Sequence, residues 1–186
     1  MAGIIIISGK FRGRKIKTVP DDRIIRPILS RIKKSLFDII NPRIKGANFL
    51  DLYAGSGAVG IEALSRGVKN VVFVELNKIY VDLITKNIEI LGGEDNAKVC
   101  HANIHDGLAW LKVEGRIKHF SLIFLGPPYK DFIVTKTLEL ISKANLLSPN
   151  GMVIAQHHKK ENVNQEYFKL VRQENYGDSK LSFFTQ

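Results

Sequence analysis

The spacing of apolar residues changes several times along this chain, and each change marks an element. Residues 4–7 are a run of four isoleucines that reads as a short strand. Residues 8–14 (S-G-K-F-R-G-R) form a glycine-punctuated turn, and 15–19 read as a returning strand. Arg26-Pro27 opens a helix, since proline is tolerated in a first turn. Leu29, Ile32, Leu36, Ile39 and Ile40 share one helical face, with Arg31, Lys33 and Lys34 off it, and Asn41-Pro42 stops the helix. From Asn48 the pattern alternates. Strands are expected at 49–53, 70–75, 98–101, 120–125 and 152–156. Between them lie helices ending near Arg66 and Leu91, and helices over 106–112 and 132–144. Two more strand candidates, 166–172 and 180–184, flank the turn signal Tyr176-Gly177-Asp178-Ser179. Strands alternating with helices predict an α/β, Rossmann-like, mostly parallel sheet of about seven strands, and the final hairpin adds an antiparallel strand. The expected organisation is a basic extension over 1–45 and a body over 46–186.

Charge sharpens that division. The chain of 186 residues carries a net charge of +10. Residues 1–45 hold 12 Lys/Arg against 3 acids, a net +9, which leaves +1 for the rest. A basic block beside a nearly neutral body is the footprint of a polyanion-docking surface. Lys10, Arg12, Arg14, Lys15, Arg26, Arg31, Lys33 and Lys34 are the candidate nucleic-acid contacts. No apolar run approaches the ~18 residues of a membrane span, and the N-terminus lacks the basic start of a secretory leader. The single cysteine, Cys100, follows Val99 in a strand and reads as a core residue of a protein in a reducing cytoplasm. Neither His101, His105 and Asp106 nor His157-His158 has the spacing of a metal site, so no metal is expected, although the histidine pair could help form a substrate face.

Two loops carry candidate chemistry. Gly55-Ser56-Gly57-Ala58-Val59-Gly60 matches GxGxxG between a strand and a helix. Glycines there let the backbone approach a ligand, and the helix start offers unpaired N–H groups. Glu75 ends the next strand, where a carboxylate can accept both hydroxyls of a ribose. This much also fits a nicotinamide dinucleotide. Asp51 within Asp51-Leu52-Tyr53-Ala54 favours S-adenosyl-L-methionine, because a carboxylate suits an ammonium and a sulfonium better than a pyrophosphate. Gly126-Pro127-Pro128-Tyr129 ends the fourth strand of the body, where open α/β sheets place their sites. Asn103, after the third strand, can reach an adenine amino group while the Ile104 N–H meets the ring.

These motifs together resemble the RsmD-type methyltransferases, which methylate N2 of a guanine in bacterial 16S rRNA. The resemblance covers nearly the whole chain. It runs through I-S-G-K-F-R-G-R-K from Ile7, R-P-I-L-S-R-I-K-K-S-L-F from Arg26, F-L-D-L-Y-A-G-S-G-A-V-G-I-E-A-L-S-R-G from Phe49, and Y-G-D-S-K-L-S-F-F from Tyr176. It implies the Rossmann-like fold of S-adenosylmethionine-dependent methyltransferases, acting on 16S rRNA or the assembling 30S subunit at guanine 966; a monomer in the cytoplasm is the accompanying expectation. By it, Gly55 and Gly57 would line the cofactor, Glu75 would hold the ribose and Asn103 with Ile104 would meet the adenine; with Asp51, Tyr53, Ala54, Ser56 and Leu76 these are the expected cofactor contacts, and chemistry is expected at Gly126, Pro127, Pro128 and Tyr129. Lys34 stands where the family commonly has a glutamate. Gly126 stands where it has Asp or Asn, the side chain that accepts an N–H of the target amine. A weak enzyme, a cofactor- and RNA-binding protein that has lost its chemistry, and a single-base departure from Asp all fit Gly126. A DNA adenine-N6 methyltransferase would share the loop, but the chain lacks a separate target-recognition domain.

Overall fold

The computed structural model describes residues 3–19, 28–114, 117–129 and 132–186. Its centre is a seven-stranded sheet. The strands are β3 (Asn48–Leu52), β4 (Asn70–Glu75), β5 (Ala97–His101), β6 (Phe120–Leu125), β7 (Leu147–His158), β8 (Lys169–Tyr176) and β9 (Ser179–Thr185), in the spatial order β5-β4-β3-β6-β7-β9-β8. The first five are parallel, and β9 runs antiparallel to both its neighbours. The central strands are apolar at nearly every position because both faces are covered. Phe49, Phe73, Leu122, Phe124 and Ile154 point into one core, and Leu50, Leu52, Val72, Val74, Ile123 and Leu125 into the other. The first face packs helices α1 (Ser30–Ile40), α2 (Ala58–Ser65) and α3 (Lys78–Leu91). The second packs α4 (Leu111–Glu114) and α5 (Val134–Lys143). Cys100 is buried in the second core.

The basic extension shares the first core. β1 (Gly3–Ile5) and β2 (Lys15–Lys17) form an antiparallel hairpin. Ile6, Phe11 and Ile16 from this region, with Ile32, Leu36 and Phe37 of α1, join the cluster that contains Phe49 and Phe73. The side-chain amide of Asn87 on α3 stands in for a strand neighbour: its Oδ1 accepts the Lys17 N–H at 2.9 Å and its Nδ2 donates to the Lys17 carbonyl at 3.0 Å.

Several sequence expectations are adjusted. The helix start expected at Arg26-Pro27 lies outside the described residues, and α1 begins at Ser30 after an extended Leu29 (φ −61°, ψ 138°). Its buried face is Ile32, Lys33, Leu36, Phe37 and Ile40, so Lys33 points inward rather than off the apolar stripe. The helix expected over 106–112 is split by Gly107 (φ 102°) into a 3-10 turn, Ile104–Asp106, and the short α4. β7 is longer than expected at both ends, and β8 begins three residues later.

Candidate active site

The C-terminal ends of β3, β4 and β6 meet at one edge of the sheet. β3 leaves the sheet through Tyr53, whose φ of 60° is unusual for a bulky residue. The Tyr53 hydroxyl lies 2.8 Å from Thr137 Oγ1, which itself donates to the Ile133 carbonyl at 2.9 Å. Ala54 is buried, with its N–H on the Val74 carbonyl, and Ser56 is half-buried. Gly57, in the left-handed region (φ 75°), caps α2. Gly60 is required for packing, since a Cβ there would lie 2.2 Å from Phe73 Cε1 and 2.9 Å from Asp51 Oδ2. The Gly60 N–H donates to Asp51 Oδ2 at 2.8 Å. Glu75 binds the same loop from β4: its Oε2 accepts the Gly55 N–H and its Oε1 the Asn77 N–H, both at 2.8 Å. Leu76 follows, 61% exposed, and its carbonyl accepts from His101 Nε2 at 2.8 Å. Asn103 caps the 3-10 turn, accepting the His105 N–H on Oδ1 and donating from Nδ2 to Asp106 Oδ1, both at 3.1 Å; Ile104 is buried beneath it.

Asp51 lies wholly under the loop. Burial pushes its carboxyl up to about 8, with the charge of Glu75 adding to the rise and the Gly60 bond opposing it. The folded protein therefore holds this proton more tightly than the unfolded chain does. The stability this contributes is complete below the ordinary carboxylate value of 3.8 and is lost as pH rises toward about 8. Asp51→Asn keeps an acceptor for Gly60 and removes the titration. Between about pH 5 and about pH 8 the unaltered protein should lose more melting temperature than the variant, and the difference between the two curves isolates Asp51 from the other shifted groups, Glu161 and His157. Parallel curves would refute the assignment.

β6 delivers the second loop beside the first. Leu52 and Leu125 are register partners, and the Gly126 N–H reaches the Leu52 carbonyl at 3.4 Å. Pro127 is buried and Pro128 exposed. Tyr129 is held at its hydroxyl, which accepts from Gln156 Nε2 at 2.7 Å and lies 2.6 Å from Ser179 Oγ. The two adjacent histidines diverge. His157 is buried against Ser182, Nε2 to Oγ 2.8 Å, and burial lowers its proton affinity. His158 packs edge-on against Tyr129, with centroids 6.0 Å apart.

Of the predicted basic contacts, Lys10, Arg12, Arg14, Lys15, Arg31 and Lys34 are exposed, and Arg26 lies outside the described residues. Lys10 and Arg14 sit over the Phe11 ring, at 5.2 and 6.0 Å from its centroid. Lys34 pairs with Asp38 one turn on, at 2.7 Å. Lys33 is the correction: it is 1% exposed, and its Nζ lies 3.0 Å from the Ile5 carbonyl and 3.1 Å from Glu62 Oε2. A residue so placed is unavailable to an external polyanion. Glu62 was missed as a key residue. It is fully buried on α2 and gathers the Ile7 N–H (2.8 Å), the Ser8 N–H (3.0 Å), Lys33 and Arg66 Nε (2.9 Å). An acid amid the apolar run A-V-G-I-E-A-L was the available signal.

The family described as Conserved hypothetical protein 95 matches residues 4–185. A curated relative, ribosomal RNA small subunit methyltransferase D of Haemophilus influenzae, is 33% identical over 92% of this chain and 88% of its own length. A hypothetical protein of Thermus thermophilus superposes with a TM-score of 0.79 at 30% identity, covering 98% of this chain and 99% of that one. An RNA methyltransferase from Salinibacter ruber in complex with S-adenosyl-L-homocysteine shares the fold, with a TM-score of 0.65 at 15% identity over 86% of this chain and 93% of the other. Among the described residues no helix is long and apolar enough to cross a membrane.

Proposed function

The chain belongs to the Conserved hypothetical protein 95 family, and we propose that it is an S-adenosylmethionine-dependent methyltransferase acting on N2 of a guanine in small-subunit ribosomal RNA. The carrying observation is the juxtaposition of two loops at neighbouring strand ends, 53–57 after β3 and 126–129 after β6, joined by the Gly126 bond to Leu52. A cofactor on one loop and a base on the other would meet at that edge.

The residues present fit the cofactor. Glycine backbone at the start of α2, the Glu75 carboxylate at the end of β4 and the exposed apolar side chain of Leu76 supply a turn, a ribose acceptor and an apolar edge for a flat ring. Gly55 and Gly57 would line the cofactor, Glu75 would hold its ribose, and Asn103 with Ile104 would meet its adenine. When bound, S-adenosylmethionine supplies an electrophilic methyl group. The chain's part is placement. The guanine amine is conjugated with its ring and is a poor nucleophile. The Gly126 carbonyl accepts one of its N–H bonds, the two prolines stiffen the turn, and Tyr129, fixed at its hydroxyl, offers its ring to the base. Orienting the amine in this way, rather than a strong base, supplies the rate.

Methyl transfer from labelled S-adenosylmethionine to unmethylated 30S subunits tests the reading, with duplex DNA as competitor. Transfer to guanine N2 is expected, and preferential transfer to duplex DNA adenine would overturn it. Gly126 itself favours a second reading, in which the chain binds cofactor and RNA without turnover.

RNA affinity should fall steeply with salt, because each neutralised phosphate contributes a slope of about −0.7 for single strands. Arg12→Glu with Lys15→Glu should flatten that slope by about one to two units, whereas Lys33→Met should leave it unchanged because Lys33 faces Glu62. Filter binding across a salt series measures this, and a salt-independent affinity would remove the basic surface from the interface.

A further inference from the structure

Three aromatic rings meet beside the loop 126–129, and only one belongs to it. His158, the last residue of β7, stands edge-on to Tyr129 with centroids 6.0 Å apart at 66°, and to Phe132 with centroids 6.4 Å apart at 84°. Phe132 is 52% exposed. Its φ of 49° is a left-handed conformation that bulky side chains rarely adopt. A bulky residue in such a backbone carries a strain that the surrounding structure must offset, and residues of this kind cluster at functional sites. His158 Nδ1 accepts the Lys160 N–H at 3.1 Å, so this nitrogen carries no proton and the ring's proton sits on Nε2. Among the described residues no group takes that Nε2–H.

We propose that Phe132 and His158, together with Tyr129, form the aromatic corner that receives the unstacked target base, with His158 presenting Nε2–H to an acceptor on the base edge. The inference rests on the methyltransferase reading and extends it to residues outside the loop. An unstacked base offers a π-face to aromatic side chains whatever its identity, and a ring N–H beside that face can select a base with an acceptor there. Tyr129 alone offers one ring. With Phe132 and His158 the base meets a walled site, whose orientation is fixed from β7 as well as from β6.

The test uses an oligoribonucleotide with a single 2-aminopurine and an end dye. Emission of the 2-aminopurine reports stacking, and anisotropy of the dye reports affinity. Two variants separate the proposed role from a structural one. His158→Asn retains a side-chain acceptor for the Lys160 N–H two residues on and removes the ring. Phe132→Gly removes the ring and suits the left-handed backbone. Quenching of 2-aminopurine is expected on binding the unaltered protein. In each variant it should weaken, and kcat on 30S subunits should fall by at least about fivefold. S-adenosylhomocysteine affinity should stay unchanged, and quenching is compared at saturating protein, where dye anisotropy shows the oligoribonucleotide fully bound. Quenching in both variants as strong as in the unaltered protein, or none in the unaltered protein, overturns the proposal. Failure of the methyltransferase reading would look different: neither this chain nor Gly126→Asp would transfer methyl, while the variants still differed in quenching.

Discussion

Gly126→Asp is expected to raise methyl transfer to unmethylated 30S subunits by roughly 10²–10³-fold, the usual worth of one preorganised polar group aimed at the reacting centre. The backbone permits the change. Gly126 is not among the glycines with positive φ. A Cβ there would meet Phe124 Cε1 at 3.2 Å and Cζ at 3.5 Å, so one ring must yield by a few tenths of an ångström. The new carboxylate would stand at the strand end beside Leu52, next to the cofactor loop. Its oxygen would accept the second N–H of the amine, which the Gly126 carbonyl alone leaves to water. The gain should appear in kcat, with S-adenosylhomocysteine affinity nearly unchanged. Single-turnover transfer measured side by side decides it. Equal rates would mean that the carbonyl and Tyr129 place the amine well enough. Activity confined to the variant would mean that this chain binds what it no longer methylates.

Glu62→Ala should be strongly destabilising although it lies away from that loop. It removes the common acceptor of two backbone N–H groups, Lys33 and Arg66, and leaves the Lys33 ammonium buried without its carboxylate. Breaking a buried pair in this way costs about 3–5 kcal/mol, which for a domain of this size lowers the melting temperature by roughly 6–20 °C. Burial already lowers the Lys33 proton affinity, with Glu62 working against that shift. Adding Lys33→Met to Glu62→Ala should therefore recover part of the loss. Calorimetry of the three proteins checks this, and a shift below about 2 °C in the single variant would show that the network contributes little. The hairpin should also become sensitive to proteolysis, since Ile7 and Ser8 lose their anchor.

The parts of the molecule that could be read in advance are those whose cause is local. The glycine loop, the acid ending β4 and the strand leading into Pro127-Pro128 each follow from short apolar runs and turn chemistry within a few residues. What escaped depends on partners distant in the chain. Lys33 sits on the buried side of α1 because Glu62, 29 positions away, neutralises it, and periodicity assigns a lysine to water. The same blind spot hid Phe37, which packs under Arg66 at 4.8 Å from ring centroid to guanidinium. His158 looked like half of a histidine pair. The strand turns its two histidines to opposite sides, one into the core against Ser182 and one beside Tyr129. The departure at Gly126 was visible at once, but whether a side chain fits there needed the position of Phe124.

The strand latest in the chain, β9, lies inside the sheet, between β7 and β8. This has a consequence for synthesis on the ribosome. β3 to β7 can pair as they emerge, and the bond between Gly55 and Glu75 needs nothing made later. The outer edge of β7, residues 153–158, keeps its N–H and C=O groups unpaired until residues 179–185 arrive. At about 5–20 residues per second that interval lasts seconds, long enough for an open edge to recruit the wrong neighbour. β9 also brings Ser179 to the Tyr129 hydroxyl. The nascent protein thus completes the loop 53–57 first and gains the second of two hydrogen-bond partners on the Tyr129 hydroxyl, after Gln156 of β7, only with β9.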